Sequence, residues 1–89
     1  MVELNRAVAV GMAHGPAAGL AIVEALAGEP ALKSYHLLPS VRGDLLHKLG
    51  RFEEARAAFE TAAGLAGNRR EEALLRRRAA EARACMLGG

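Results

Sequence analysis

The chain has 89 residues, of which 52% are apolar, and carries a formal net charge of +2 and a single cysteine. This length excludes more than one domain, and one cysteine excludes an intrachain disulfide. No apolar run approaches the roughly 18 residues that a membrane-spanning helix needs. A small domain without disulfides is typical of a reducing compartment, so we expect a cytoplasmic protein without membrane partners.

The first two predicted helices occupy the N-terminal third of the chain. Apolar residues recur at i, i+3 and i+4 between Glu3 and Ala13, which predicts an amphipathic helix. A second helix should begin at Pro16, because proline at the first helical position loses no hydrogen bond, and run to about Ala27. The expected buried stripe of the first helix comprises Leu4, Ala7, Val8, Gly11 and Met12.

The third and fourth predicted helices flank Gly50. The third starts near Tyr35 or His36 and holds Pro39 in its first turn, where a missing N–H costs nothing. The fourth runs from Phe52 to about residue 66. The expected buried stripe of the third helix comprises Leu38, Val41, Leu45, Leu46 and Leu49.

A fifth helix is predicted after Asn68. Asn68 and Glu71 have the spacing of a capping box, in which the Glu side chain reaches back to the amide of the cap residue. The expected buried stripe of this helix comprises Leu75, Ala79, Ala82 and Met86. The connections between the five helices are short, which favours antiparallel packing of sequential helices.

An internal repeat is indicated by two glycines at predicted turns, Gly15 and Gly50, which lie 35 residues apart. The tetratricopeptide unit is a helical hairpin of about 34 residues with small and aromatic residues at set positions. Residues 36–69 match it through Gly43, Gly50, Phe52, Ala55, Phe59 and Ala62. We therefore predict an all-α, tetratricopeptide-like stack of antiparallel helical hairpins with about five helices. It comprises a degenerate repeat at 2–35, a clear repeat at 36–69 and a closing helix at 69–87.

Longer stretches carry a more specific resemblance. They are ELNRAVAV, GPAAGL, YHLLPSVRGDLLHKLGR, EARAAFETAAGLAGN and EEALLRRR, in this order along nearly the whole chain. Together they resemble the C-terminal tetratricopeptide-like extension of bacterial extracytoplasmic-function sigma factors, which belong to the sigma-70 family. The regions that bind polymerase and promoter are absent, so we expect an excised fragment. The resemblance implies a regulatory, protein-interaction domain whose partner is its own sigma regions, RNA polymerase or a regulator.

Catalytic and cofactor chemistry is not predicted. The three histidines, His14, His36 and His47, form no metal-ligand spacing with each other, with cysteine or with carboxylates. We expect no histidine near Cys85 to activate it. No phosphate-binding glycine motif occurs. We therefore expect no catalytic residue, no metal, no cofactor and no enzymatic activity.

A partner-binding surface is predicted from polar and aromatic residues. Asn5 and Arg6 interrupt an apolar helix, so they form either an internal clamp, with Asp44 as the candidate partner, or a contact to another protein. The residues that we predict to contact a partner are Asn5, Arg6, Tyr35, His36 and Arg42.

A possible basic surface lies on the last helix and comprises Arg69, Arg70, Arg76 and Arg77, beside Arg78. Glutamates interrupt it and no aromatic residues are interleaved for base stacking, so a solvated face or an acidic protein partner is favoured over nucleic acid. Two alternatives to a sigma-factor domain stay open. One is a nucleic-acid contact through this helix, and the other is self-association into a homo-oligomer, because short repeat arrays leave apolar edges.

Overall fold

The computed structural model describes residues 2–32 and 35–88, and within them the protein has five α-helices and no β-strand. The helices are α1 (Val2–His14), α2 (Pro16–Leu26), α3 (Leu37–Lys48), α4 (Phe52–Leu65) and α5 (Arg69–Gly88). All five predicted helices are confirmed, and Pro39 lies in the first turn of α3. The predicted connection between α2 and α3 includes Lys33 and Ser34, which lie outside the described residues.

The turns within the two hairpins depend on glycine. Gly15, between α1 and α2, has φ +99°, and Gly50, between α3 and α4, has φ +80°. At the end of α3, the Arg51 N–H donates to the Leu46 carbonyl (2.9 Å) and the Gly50 N–H donates to the His47 carbonyl (3.0 Å). This is the Schellman arrangement, which requires a left-handed residue after the helix and therefore favours glycine.

The helices form a stack of antiparallel hairpins. α1 packs on α2, α3 on α4, and α4 on α5, while α2 and α3 join the two hairpins. α3 and α5 run parallel, as two contacts between them show. His36 meets Glu71 at the start of both helices, and Asp44 meets Arg78 about two turns further along each.

The core is built largely from alanine and leucine, with Phe59, Leu46 and Val23 as the largest fully buried side chains. Small residues allow the close packing of the helices. A Cβ built on Gly43 would lie 2.9 Å from the ring of Phe59, and one on Gly19 would lie 2.7 Å from the Ala7 carbonyl oxygen. In each hairpin, one glycine therefore allows the two helices to pack closely against each other.

Four residues of the predicted buried stripes are exposed instead: Val8, Met12, Leu49 and Met86. Conversely, Leu32 is buried although it was predicted only as part of a connection. It ends a 3₁₀ turn, Pro30–Leu32, that brings its side chain into the core. Across the described ranges, none of the helices combines the length and the apolar character required to span a bilayer.

Candidate protein-binding groove

A groove of about 360 Å³ runs along the face of the stack where α1, α3 and α5 are exposed. It is called the groove below. Its apolar floor comprises Val8, Met12, Leu37, Val41 and Leu74.

The apolar floor is exposed to solvent. Seven large apolar side chains are exposed among the described residues, and four of them line the groove: Val8, Met12, Leu37 and Leu74. Met12 is 80% exposed and Leu74 is 49% exposed. A clustered exposed apolar surface with a polar rim is typical of an interaction site, whereas single exposed apolar residues are ordinary.

Close contact between α1 and α3 makes the floor continuous. A Cβ on Gly11 would lie 3.1 Å from Cδ2 of Leu45, so a larger side chain there would displace the Leu45 side chain. Gly11 and Leu45 both line the groove. The small residue in α1 therefore lets α3 pack closely against it, and Val8, Met12 and Val41 line the same groove.

At one end of the groove, a single carboxylate faces two cations. An oxygen of Asp44 lies 3.5 Å from the Lys48 ammonium, and the other lies 3.3 Å from the Arg78 guanidinium. The guanidinium carbon of Arg78 also lies 6.0 Å from the centre of the Phe59 ring, at the outer limit of a cation–π contact. This end of the groove therefore carries one more positive than negative side chain.

The other end of the groove is closed by His36 and Glu71. Nε2 of His36 lies 2.9 Å from Oε2 of Glu71 and is shielded from solvent. The two groups are close enough for an ion pair but are not aligned as a hydrogen bond, so the attraction depends on a protonated imidazole. This contact links the start of α3 to the first turn of α5.

The predicted capping box of α5 forms only in part, because of the position of the Glu71 side chain. The Glu71 N–H donates to Oδ1 of Asn68 (2.8 Å), so the cap of α5 forms. The reciprocal bond does not form, because the Glu71 side chain turns to His36 instead of the Asn68 amide. An interhelical contact has replaced a local one.

The predicted partner-binding residues occupy different parts of the structure. His36 lines the groove, whereas Asn5 and Arg6 are exposed on α1 and do not line it. Tyr35 packs against the core, and the Arg42 guanidinium forms an ion pair with Glu24 of α2.

The predicted clamp of Asn5 or Arg6 on Asp44 is wrong. The carboxylate of Asp44 instead pairs with Lys48, on the same helix α3, and with Arg78 of α5. The contact from α5 was not foreseen because it joins residues 34 positions apart.

The predicted basic surface lies outside the groove. Arg69, Arg70, Arg76 and Arg77 are all exposed on α5, and Arg76 forms an ion pair with Glu72 at 3.0 Å. Arg78, which follows them directly, is the arginine of this cluster that reaches the groove.

The expectation that no histidine lies near Cys85 is wrong. Nε2 of His47 lies 3.8 Å from the exposed Cys85 Sγ, and the His47 ring packs edge-on against Phe52 at 5.0 Å. The two residues are 38 positions apart, so only the packing of α5 on the second hairpin brings them together. This pair does not line the groove.

Comparison with known proteins gives one informative relative. The chain is 51% identical over 76 residues to an uncharacterized protein of Rhizobium meliloti (strain 1021). The match covers 85% of the chain and 18% of that protein, so the chain spans less than a fifth of the relative's length. No protein-family model matches the chain. No solved structure matches it either.

Proposed function

We propose that the protein is a protein-interaction domain that binds a segment of its partner in the groove. The observation that carries this proposal is the clustering of four of the exposed large apolar side chains on the face shared by α1, α3 and α5. Burial of such side chains by a partner contributes about 25 cal/mol for each Å² removed from water. The charged groups at both ends of the groove add specificity to that affinity.

The partner that we propose is a set of sigma regions. The resemblance of the sequence to the C-terminal extension of extracytoplasmic-function sigma factors supports a regulatory domain that docks on those regions in the bacterial cytoplasm. The domain would then modulate transcription initiation by holding the sigma regions in one arrangement. In the Rhizobium meliloti relative the matched segment belongs to a much longer chain, as it would in a protein with such an extension.

Binding of the labelled chain to the sigma regions of its parent factor, supplied in trans, tests this proposal. We expect saturable binding that Met12→Asp weakens at least tenfold, because the substitution places a charge on the most exposed side chain of the floor. Leu87→Asp is the matched control, since Leu87 is 73% exposed but does not line the groove. Both variants should retain the helical content of the wild type by circular dichroism.

The outcomes separate this proposal from its alternatives. Absence of binding to the sigma regions, at about 0.05 M and about 0.3 M salt, would refute the sigma-factor role. If a labelled DNA or RNA duplex binds instead, with affinity falling steeply as salt rises, the exposed arginines of α5 form a nucleic-acid surface. If the chain dimerises and Met12→Asp abolishes the dimer, the groove is a self-association surface.

A further inference from the structure

We propose that the segment bound in the groove is an amphipathic α-helix that places an acidic side chain between Lys48 and Arg78. This inference rests on the proposed function, because it specifies the partner of the same groove. It follows from the length of the floor, the scarcity of polar groups along it and the distribution of charge at its ends.

The floor suits a helix better than an extended peptide. Between the His36 end and the Lys48 end, where Asp44 also lies, Ser40 provides the one polar side chain among the lining residues. An extended peptide would leave the backbone N–H and C=O groups that face the floor without protein partners, whereas a helix satisfies its own. The eight residue-to-residue steps from His36 to Asp44 rise about 12 Å along α3, which matches about two turns of a bound helix.

A bound helix of two turns presents apolar side chains at i, i+3 or i+4, and i+7 along one face. The floor offers exposed apolar side chains from three helices to receive them: Val8 and Met12 from α1, Leu37 from α3 and Leu74 from α5. An amphipathic helix in an apolar groove is a recurrent mode of peptide recognition.

The charges at the two ends of the groove determine where a bound helix would carry an acidic residue. Asp44 is shared between Lys48 and Arg78, whose side chains remain 54% and 44% exposed, so both can receive a further carboxylate. The C-terminal end of α3 contributes a partial charge of about −0.5 nearby, which reduces the excess of +1 among the lining side chains without reversing it. Glu81 lies with Arg78 in an adjacent hollow, outside the groove. At the other end, the N-termini of α3 and α5 contribute partial charges of about +0.5 each, which offset the charge of Glu71. The lining side chains there include no lysine or arginine to pair with a carboxylate. An acidic residue is therefore favoured at the Lys48 end, where two cationic side chains can pair with it.

Two synthetic helical peptides of about 14 residues, or roughly 20 Å, test this inference. They share one leucine stripe and differ at a single end position, which is Glu in one and Lys in the other. We expect the Glu peptide to bind about fivefold more tightly by fluorescence polarisation, an effect of the size expected for exposed ion pairs. Amide chemical shifts should change at Val8, Met12 and Leu74.

Charge reversal in the protein supplies the control. Lys48→Glu should reverse the preference, so that the Lys peptide binds more tightly than the Glu peptide. Arg77→Glu makes the same change in net charge on an exposed residue that does not line the groove, and it should leave the preference intact. A shift of equal size in both variants would show that net charge, rather than pairing at the groove, sets the preference.

Other results would also overturn the inference. Equal binding of the two peptides excludes the acidic contact, and failure of both to bind excludes a helix in the groove. Dimerisation of the chain that blocks the peptides assigns the groove to a second copy. Selective peptide binding without binding of the sigma regions would preserve the helix-binding groove while refuting its assignment to a sigma factor.

Discussion

Gly43 and Gly64 lie on the two helices of the second hairpin, and a side chain would meet different surroundings at each. A Cβ at position 43 would lie 2.9 Å from two ring atoms of the buried Phe59. A Cβ at position 64 would have no heavy atom within 4 Å. Both residues are helical, so the comparison isolates the effect of packing from that of helix propensity.

We predict that Gly43→Ala lowers the free energy of unfolding by about 1–2 kcal/mol, because overpacking costs about 1–3 kcal/mol and alanine in a helix returns about 0.5–1 kcal/mol. Gly64→Ala should raise it by about 0.5–1 kcal/mol, since only the propensity term acts. Urea denaturation followed by circular dichroism measures both changes. Equal stabilisation by the two substitutions would show that the Phe59 ring moves aside freely.

At the scale of the helices, the start of α4 carries a two-pronged ion pair. Nε and a terminal nitrogen of Arg51 donate to the two carboxylate oxygens of Glu54 at 2.8 and 2.7 Å. This hydrogen bonding lowers the pKa of Glu54 and raises the pKa of Arg51, although both side chains are about half exposed. Because the pKa of Glu54 is depressed in the folded state, its stabilising contribution is present above the unfolded-state pKa. It is lost as the pH falls through the folded-state value.

We predict that Arg51→Ala moves the pKa of Glu54 upward toward its ordinary value and flattens the acid side of the stability profile. Carboxyl NMR titration of Glu54 measures the first effect directly. Arg56→Ala is the control, because Arg56 pairs with Glu60 one turn along the same helix and should leave Glu54 unchanged. An unchanged Glu54 pKa in Arg51→Ala would show that the pair does not persist in solution.

The helices could be predicted from the sequence, because the spacing of apolar residues, Pro39 and the Asn68 cap are all local signals. The groove could not be predicted from such signals. Val8 and Met12 lie on the apolar stripe of α1, and periodicity alone does not distinguish a core stripe from one that faces a groove. That distinction depends on how much of α1 is covered by α2 and α3. For the same reason Glu71 was predicted to cap its own helix, whereas the structure brings the more distant His36 within 2.9 Å.

At the scale of the whole molecule, the core depends on few large side chains. Alanines provide many of its buried positions, and Phe59 is the largest fully buried side chain. A domain of this size has a total stability of only about 4–13 kcal/mol, at about 0.05–0.15 kcal/mol per residue. The loss of one large side chain is therefore a considerable fraction of the whole.

We predict that Phe59→Ala lowers the free energy of unfolding by about 3–5 kcal/mol and leaves the chain at the edge of folding. Phe52→Ala should cost only about 1–2 kcal/mol, because Phe52 is half-buried and its ring contacts His47 at the edge of the hairpin. Thermal unfolding of both variants gives the comparison. A larger loss for Phe52 would place the centre of stability at the hairpin turn.

Helix α5 serves both the core and the groove. Its Leu75, Ala79 and Ala82 are buried, while its Leu74 belongs to the floor of the groove and its Arg78 lies at one end. Any ligand of the groove therefore binds only molecules in which α5 is docked, and by mass action it shifts the population toward them. At a ligand concentration about 100 times its Kd, this linkage adds about 2.7 kcal/mol to the stability of the fold. The unoccupied domain would accordingly be degraded faster than the occupied one, so that the lifetime of the chain in the cell would report whether its partner is present.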